Sequence, residues 1–143
     1  MLVRIIDAWC LLAISVVIHA LGLTTLILAL RRSPKFMDTR FWRSIWLLIR
    51  LAWGMIVIHL AEIVLWALFY SWQKCLPDLQ SSIYFSVVTY TTVGYGDLVL
   101  PGEWRILGGV EALTGILMCG WSTAFLFAFV SRRFATLFKD EPG

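Results

Sequence analysis

Residues 91–97 read Thr-Thr-Val-Gly-Tyr-Gly-Asp. Two glycines stand two apart in this run, Gly94 and Gly96, and Thr92, its second residue, offers a hydroxyl. Glycine reaches left-handed backbone conformations that a Cβ closes to other residues, so the successive carbonyls of such a run can all be turned to one side. Carbonyl oxygens from Thr92, Val93, Gly94 and Tyr95, extended by Gly96 and ended by the Thr92 hydroxyl, could then serve as an oxygen ladder of the kind K+ needs when it gives up its water shell. Tyr95 can point away from the ladder and wedge against the element before it. Asp97 can restrain the mouth of the run, with Thr91 and Tyr84 as further supports.

The element before the run must aim it. Asp78, just after Pro77, is expected to cap a short helix from Leu79 to about Tyr90. That stretch, 79–92, is short and studded with Ser and Thr, which points to a re-entrant segment or a helix buried in protein and not to a lipid-facing span. Its carboxyl end carries a partial negative charge that favours a cation in front of it.

Other ionisable residues fall inside apolar stretches, where charge is costly and has a partner or a task. Glu111 and Gly115 are four apart and share one helix face. The acid either adds negative potential near the ion path or braces hydroxyls such as Ser86 or Thr89. His59 and Glu62, three apart, are expected to hydrogen-bond to each other; a two-ligand pair is weak evidence for a metal. His19 and His59 titrate near physiological pH when free and are candidate proton sensors. Cys75 is either a packing thiol or a partner for a second subunit in an oxidising compartment.

These residues need a scaffold, and the composition says which kind. Of 143 residues, 60% are hydrophobic and 15% charged, and the mean hydropathy is +0.83. Soluble domains run nearer 45–50% apolar and about 25% charged. Three cysteines cannot all pair, which excludes a disulfide-stapled secreted scaffold. The net charge of +3 comes largely from residues flanking apolar runs, so it signals membrane topology and no nucleic-acid partner. Apolar stretches at 5–30, 51–72 and 106–130 are each long enough to cross a bilayer. Of the 12 Lys and Arg residues, nine fall in 31–50 and after Val130, and three (Arg4, Lys74, Arg105) fall on the other side. The excess places the amino terminus outside, 31–50 inside, 73–104 outside and the carboxyl terminus in the cytoplasm of a cell-membrane protein. A cleaved leader is the rival reading of the first stretch, which is longer than a leader's apolar core and carries its heavier positive flank after it. The 31–50 region can also meet anionic lipid headgroups. Trp9, Trp42, Trp46, Trp72 and Trp104 read as interfacial anchors.

Residues 92–97, in this setting, resemble the filter signature of the pore-loop potassium channel superfamily. The likeness covers 51–130: an outer helix, a Ser/Thr-rich pore helix with the aromatic pair Tyr84 and Phe85, the filter, and a glycine-containing inner helix. The chain most resembles small bacterial channels of the two-helix pore type with one helix added in front. The resemblance implies an all-α membrane protein of three transmembrane helices plus a re-entrant pore helix, built as 1–50 (first helix and basic loop), 51–131 (pore module) and 132–143 (short cytoplasmic tail). One filter per chain implies a fourfold symmetric homotetramer. It also implies passive K+ conduction and no enzymatic chemistry, with K+ as cargo and no cofactor.

By the same resemblance Gly115 stands where many members hinge the inner helix, with Gly120 a second candidate. Gly108, Gly115 and Gly120 serve equally well for close helix packing. Ile116, Cys119 and Thr123, together with Gly120, are candidate cavity-lining residues. The family often carries a second acid nine residues before the filter aspartate. Here Val88 stands in its place, so Asp97 must be held otherwise, with Tyr84 the candidate. No stretch of these 143 residues carries arginines at every third position, so no voltage-sensing helix is expected among them. A small accessory subunit that co-assembles with other channel chains is the alternative function.

Overall fold

The computed structural model describes residues 2–31 and 41–139. Four helices follow in order: α1 (Leu2–Arg31), α2 (Phe41–Trp72), α3 (Leu79–Tyr90) and α4 (Arg105–Lys139), with a 3-10 turn at Gly102–Trp104 before α4. The protein is a membrane protein, all-helical among the described residues, where three helices are long and apolar enough to cross a bilayer: α1, α2 and α4. With 12 residues α3 is about 18 Å long, short of the ~30 Å hydrocarbon core. Arg32, Lys35 and Arg40 of the basic loop, and residues 140–143 of the tail, lie outside the described residues.

Two expected boundaries move. α2 begins at Phe41 and not near Leu51, because Ser44, Leu47 and Leu51 recur at helical spacing and are buried while Arg50 stays exposed. The charges that interrupt the hydropathy there do not interrupt the helix. α4 likewise continues past Val130 to Lys139, so the first residues of the expected tail prolong that helix.

α2 stops at a hydrogen-bonded cap. Lys74 takes a left-handed conformation (φ 53°), Cys75 N–H donates to the Tyr70 carbonyl at 3.0 Å and Lys74 N–H to that of Ser71 at 3.1 Å. This is the Schellman pattern with lysine in the usual glycine place. Tyr70 and Cys75 then join one buried cluster with Trp66, Leu76, Phe85 and Trp104. Burial pushes the Cys75 thiol up, and its setting is that of a packing residue.

α3 starts where the sequence signals it. The Asp78 carboxylate accepts from Ser81 N–H at 2.7 Å, and this backbone donor holds its carboxyl below the usual range. A depressed folded-state value means that the cap stabilises α3 above the ordinary carboxylate range and fades as pH falls through the lowered value. Asp78→Ala is expected to speed hydrogen exchange at Ser81 and Ser82 and to abolish the acid dependence of that exchange; unchanged protection would remove the cap from the account.

α1 packs on α2 and α4 of its own chain. Glycines bring α1 and α2 close: a Cβ at Gly22 would lie 2.6 Å from Ile58 Cγ1, and one at Gly54 2.6 Å from Leu26 Cδ1. Trp66 Nε1–H donates to Ser15 Oγ at 3.2 Å in the buried contact. Trp104 departs from its expected role as an anchor. It is buried beneath the Arg4 guanidinium, 3.3 Å from its ring centroid, and Arg4 also reaches Glu103 at 3.8 Å. Trp9, Trp42, Trp46 and Trp72 are exposed on the chain.

Candidate ion-coordinating site

Segment 91–97 hangs from the carboxyl end of α3. Thr91 N–H and its hydroxyl both donate to the Val87 carbonyl, at 3.1 and 2.7 Å. Thr92 N–H donates to Thr89 at 2.9 Å, and Gly94 N–H to Val88 at 3.2 Å. Carbonyls that a helix end normally leaves open thus fix where the segment leaves. Thr92, Gly94 and Gly96 all have positive φ, at 61°, 55° and 77°. The conformation costs glycine nothing, whereas Thr92 adopts it against its own preference. A Cβ at Gly94 or Gly96 would meet no atom within 4 Å, so the demand for glycine there comes from the backbone angle and not from crowding. Residues 91–97 are all exposed on the chain.

Tyr84 on α3 donates its hydroxyl to Asp97 Oδ2 at 2.6 Å, closing the segment back onto the helix that launches it. Behind the segment lies a cavity of about 220 Å³ whose lining includes Phe85, Val88, Gly96, Asp97 and Gly108. Val88 gives that space an apolar wall.

The other face of α3 is held by two carboxyl groups. Ser82, Ser86 and Tyr90 recur every four residues and are buried, which turns one polar stripe toward α2 and α4. Glu111 on α4 is fully buried. It accepts from Tyr70 on α2 at 2.8 Å and from Ser86 on α3, and Ser86 Oγ also lies 2.9 Å from the Ile63 carbonyl. Of the two readings of Glu111, the geometry is that of a brace, with Ser86 and not Thr89 as its partner.

Glu62 braces the same helix a turn further along. Its Oε1 lies 2.9 Å from His19 Nδ1 on α1, and its Oε2 accepts from the Tyr90 hydroxyl. His59 Nδ1 stands 3.0 Å from that hydroxyl and 3.6 Å from Glu62 Oε2. Ser122 Oγ on α4 lies 3.1 Å from His59 Nε2 and 3.2 Å from His19 Nε2. The expected hydrogen bond between His59 and Glu62 is not formed: they stand 3.6 Å apart and each meets the Tyr90 hydroxyl instead, so only their nearness was legible from the spacing. Tyr90 and Ser122 were not, because a lone hydroxyl in an apolar helix gives no sign of which distant residue it faces.

α4 is unbroken through both candidate hinges. Gly115 lies against the end of α3: a Cβ there would stand 1.9 Å from the Tyr90 carbonyl oxygen. That is a close-packing contact. A Cβ at Gly120 would meet nothing within 4 Å. Ile116, Cys119, Gly120 and Thr123 share an exposed face of α4, and the Thr123 hydroxyl is turned back onto the Cys119 carbonyl at 2.8 Å.

Comparison with known proteins places these elements in company. A family model described as "Ion channel" matches residues 45–132, which take in nearly all of α2, all of α3, the 91–97 segment and most of α4. The voltage-gated potassium channel regulatory subunit KCNG2 of Homo sapiens is 30% identical over 126 residues, covering 86% of this chain and 25% of the relative. The proteins of the same name from Rattus norvegicus and Gallus gallus are 30% and 29% identical over the same length. The chain therefore spans about a quarter of the length of the curated relatives it matches. No solved structure matches.

Proposed function

The chain belongs to the pore-loop potassium channel superfamily, and from that premise we propose that four copies assemble around a fourfold axis and conduct K+ passively through residues 92–96. The observation that carries this reading is the recurrence of left-handed backbone at Thr92, Gly94 and Gly96. Left-handed residues at every second position turn successive peptide planes the same way, so their carbonyls face one side. Four such segments around an axis supply the oxygen cages that replace the hydration shell of K+. α3 acts as the pore helix, entering the membrane from the outer side with its carboxyl end toward the axis. Asp97, held by Tyr84, anchors the outer mouth. Ile116, Cys119 and Thr123 line the cavity within, where the α3 terminus favours a cation.

The relatives are named as regulatory subunits, which favours a second reading, a subunit that co-assembles with other channel chains. Purified chain reconstituted alone in liposomes separates the two. The conducting homotetramer is expected to give K+ flux well above Na+ flux, and chemical cross-linking is expected to give species up to four chains. Absence of both the tetramer and the flux would leave only the regulatory reading.

A further inference from the structure

We propose that His19, His59, Glu62, Tyr90 and Ser122 form a binding site for one exchangeable proton, joining α1 to the residue that launches the candidate filter. The five side chains close a ring: His19 Nδ1 to Glu62 Oε1 at 2.9 Å, Glu62 Oε2 to the Tyr90 hydroxyl, that hydroxyl to His59 Nδ1 at 3.0 Å, His59 Nε2 to Ser122 Oγ at 3.1 Å, and Ser122 Oγ to His19 Nε2 at 3.2 Å. All four helices contribute. His19 and Glu62 are fully buried, Tyr90 and Ser122 nearly so; His59 is the partly open member, at 19% exposure, and is the way in.

The proton count follows from the ring itself. Five hydrogen bonds need five protons. Two neutral imidazoles, a phenol and a serine hydroxyl bring four, and an ionised Glu62 brings none. One contact is then two lone pairs facing each other, and the cluster carries a net negative charge in a membrane-spanning bundle, where that charge is expensive. A fifth proton repairs both faults, whether Glu62 or either histidine holds it, and two of the arrangements show how. Held by Glu62, it sends every donor round in one sense, from Glu62 to His19, Ser122, His59, Tyr90 and back to Glu62. Held by His59, it gives an ion pair in which His59 donates to Tyr90 and Ser122, Ser122 to His19, and both His19 and Tyr90 to Glu62. Each arrangement satisfies all five contacts at zero net charge.

Two further titratable groups approach the ring. On α4, Cys119 and Glu111 are within electrostatic reach of Tyr90, and Cys119 of Glu62. Neither brings a positive charge to the ring. Trp121 packs its ring 5.3 Å from that of His19 and adds no charge. Raising the pH removes the fifth proton and breaks the ring at one contact. Every member makes two of the five contacts, and Tyr90 is the one followed directly by Thr91 and Thr92. The link to conduction rests on the proposed channel; the proton site does not.

The same three donors, His19, His59 and Glu62, have ligand atoms within 4.8 Å of one another, so a divalent cation is the competing occupant. The test uses the full chain in nanodiscs with 15N-labelled histidines, titrated over about pH 5 to 8. Expected is one joint step in which the signals of both histidines move together and one proton leaves per chain. Glu62→Gln supplies the missing hydrogen from its amide, and is expected to abolish the step. Ser122→Ala, which keeps all three titratable groups, is expected to uncouple the two histidines. In liposomes the pH dependence of K+ flux is expected to vanish in Glu62→Gln; if the chain does not conduct, the nitrogen signals still decide the proton site. Independent histidine steps untouched by Glu62→Gln, no step at all, or stoichiometric Zn2+ binding lost in His19→Gln would each overturn the proposal.

Discussion

Gly94→Ala is expected to abolish selective K+ flux while leaving the helices and their assembly intact. The reason is confined to the backbone. A Cβ at Gly94 has open space around it, so alanine collides with nothing, but at φ 55° an L-residue is held where it costs about 1 kcal/mol or more. The chain relieves that cost by turning φ negative, which rotates the flanking peptide planes and releases the N–H that donates to Val88 at 3.2 Å. Carbonyls then leave the common side. In a fourfold assembly the cost acts in every chain at once, about 4 kcal/mol in all, and at 1.4 kcal/mol per tenfold change that predicts a loss of at least about a hundredfold. Gly102→Ala is the control, because it also has nothing within 4 Å but no positive φ; its flux is expected to match the native chain. Liposome flux with K+ and with Na+, alongside circular dichroism and cross-linking, checks both. Selective flux surviving within about twofold in a folded Gly94→Ala tetramer, against that expected hundredfold loss, would show that residues 92–96 are not the conducting ladder.

What could be read from the sequence and what could not divides along the range of the interaction. The Asp78 cap, the extent of α3 and the glycines at 94 and 96 are local: each is set by residues within a few positions, and sequence order displays them. The start of α2 was hidden because the window around Arg43 and Arg50 dilutes hydropathy, although the helical recurrence of Ser44, Leu47 and Leu51 carried the signal. Trp104 has the composition of an anchor and the position of a core residue; only the approach of α1, which lays Arg4 over it, decides between them. The ring around Glu62 is the extreme case. His59 and Glu62 are three apart, but His19 lies 43 residues from Glu62 and Ser122 lies 103 from His19. No periodicity connects residues so far apart, and the proton count that gives the cluster its chemistry exists only once five contacts close into a loop.

Gly115→Ala is expected to be the most damaging small substitution in α4, and the contrast with Gly120→Ala decides what the glycines there are for. The new methyl carbon at 115 would stand 1.9 Å from the Tyr90 carbonyl oxygen, 2.8 Å from its carbon and 3.2 Å from its Cα. These are backbone atoms at the end of α3, and no rotamer change moves them aside. Either α4 withdraws from α3 or the last turn of α3 is pushed out, and both outcomes displace Tyr90 and the segment that begins beyond it. Inserting a methylene into a well-packed core costs typically 1–3 kcal/mol; here the obstacle is main chain, so a loss of about 3 kcal/mol or more in stability is expected, with flux lost alongside. Gly120 has no neighbour within 4 Å, and alanine there is expected to be neutral or to gain up to about 1 kcal/mol from helix propensity. A pure hinge makes a different prediction: both substitutions would stiffen α4 and alter opening, with stability untouched. Thermal unfolding followed by circular dichroism in detergent, for the two variants side by side, separates these cases. A Gly115→Ala protein as stable as the native chain would mean that α4 and α3 do not meet at Tyr90, and that the glycine serves bending instead of contact.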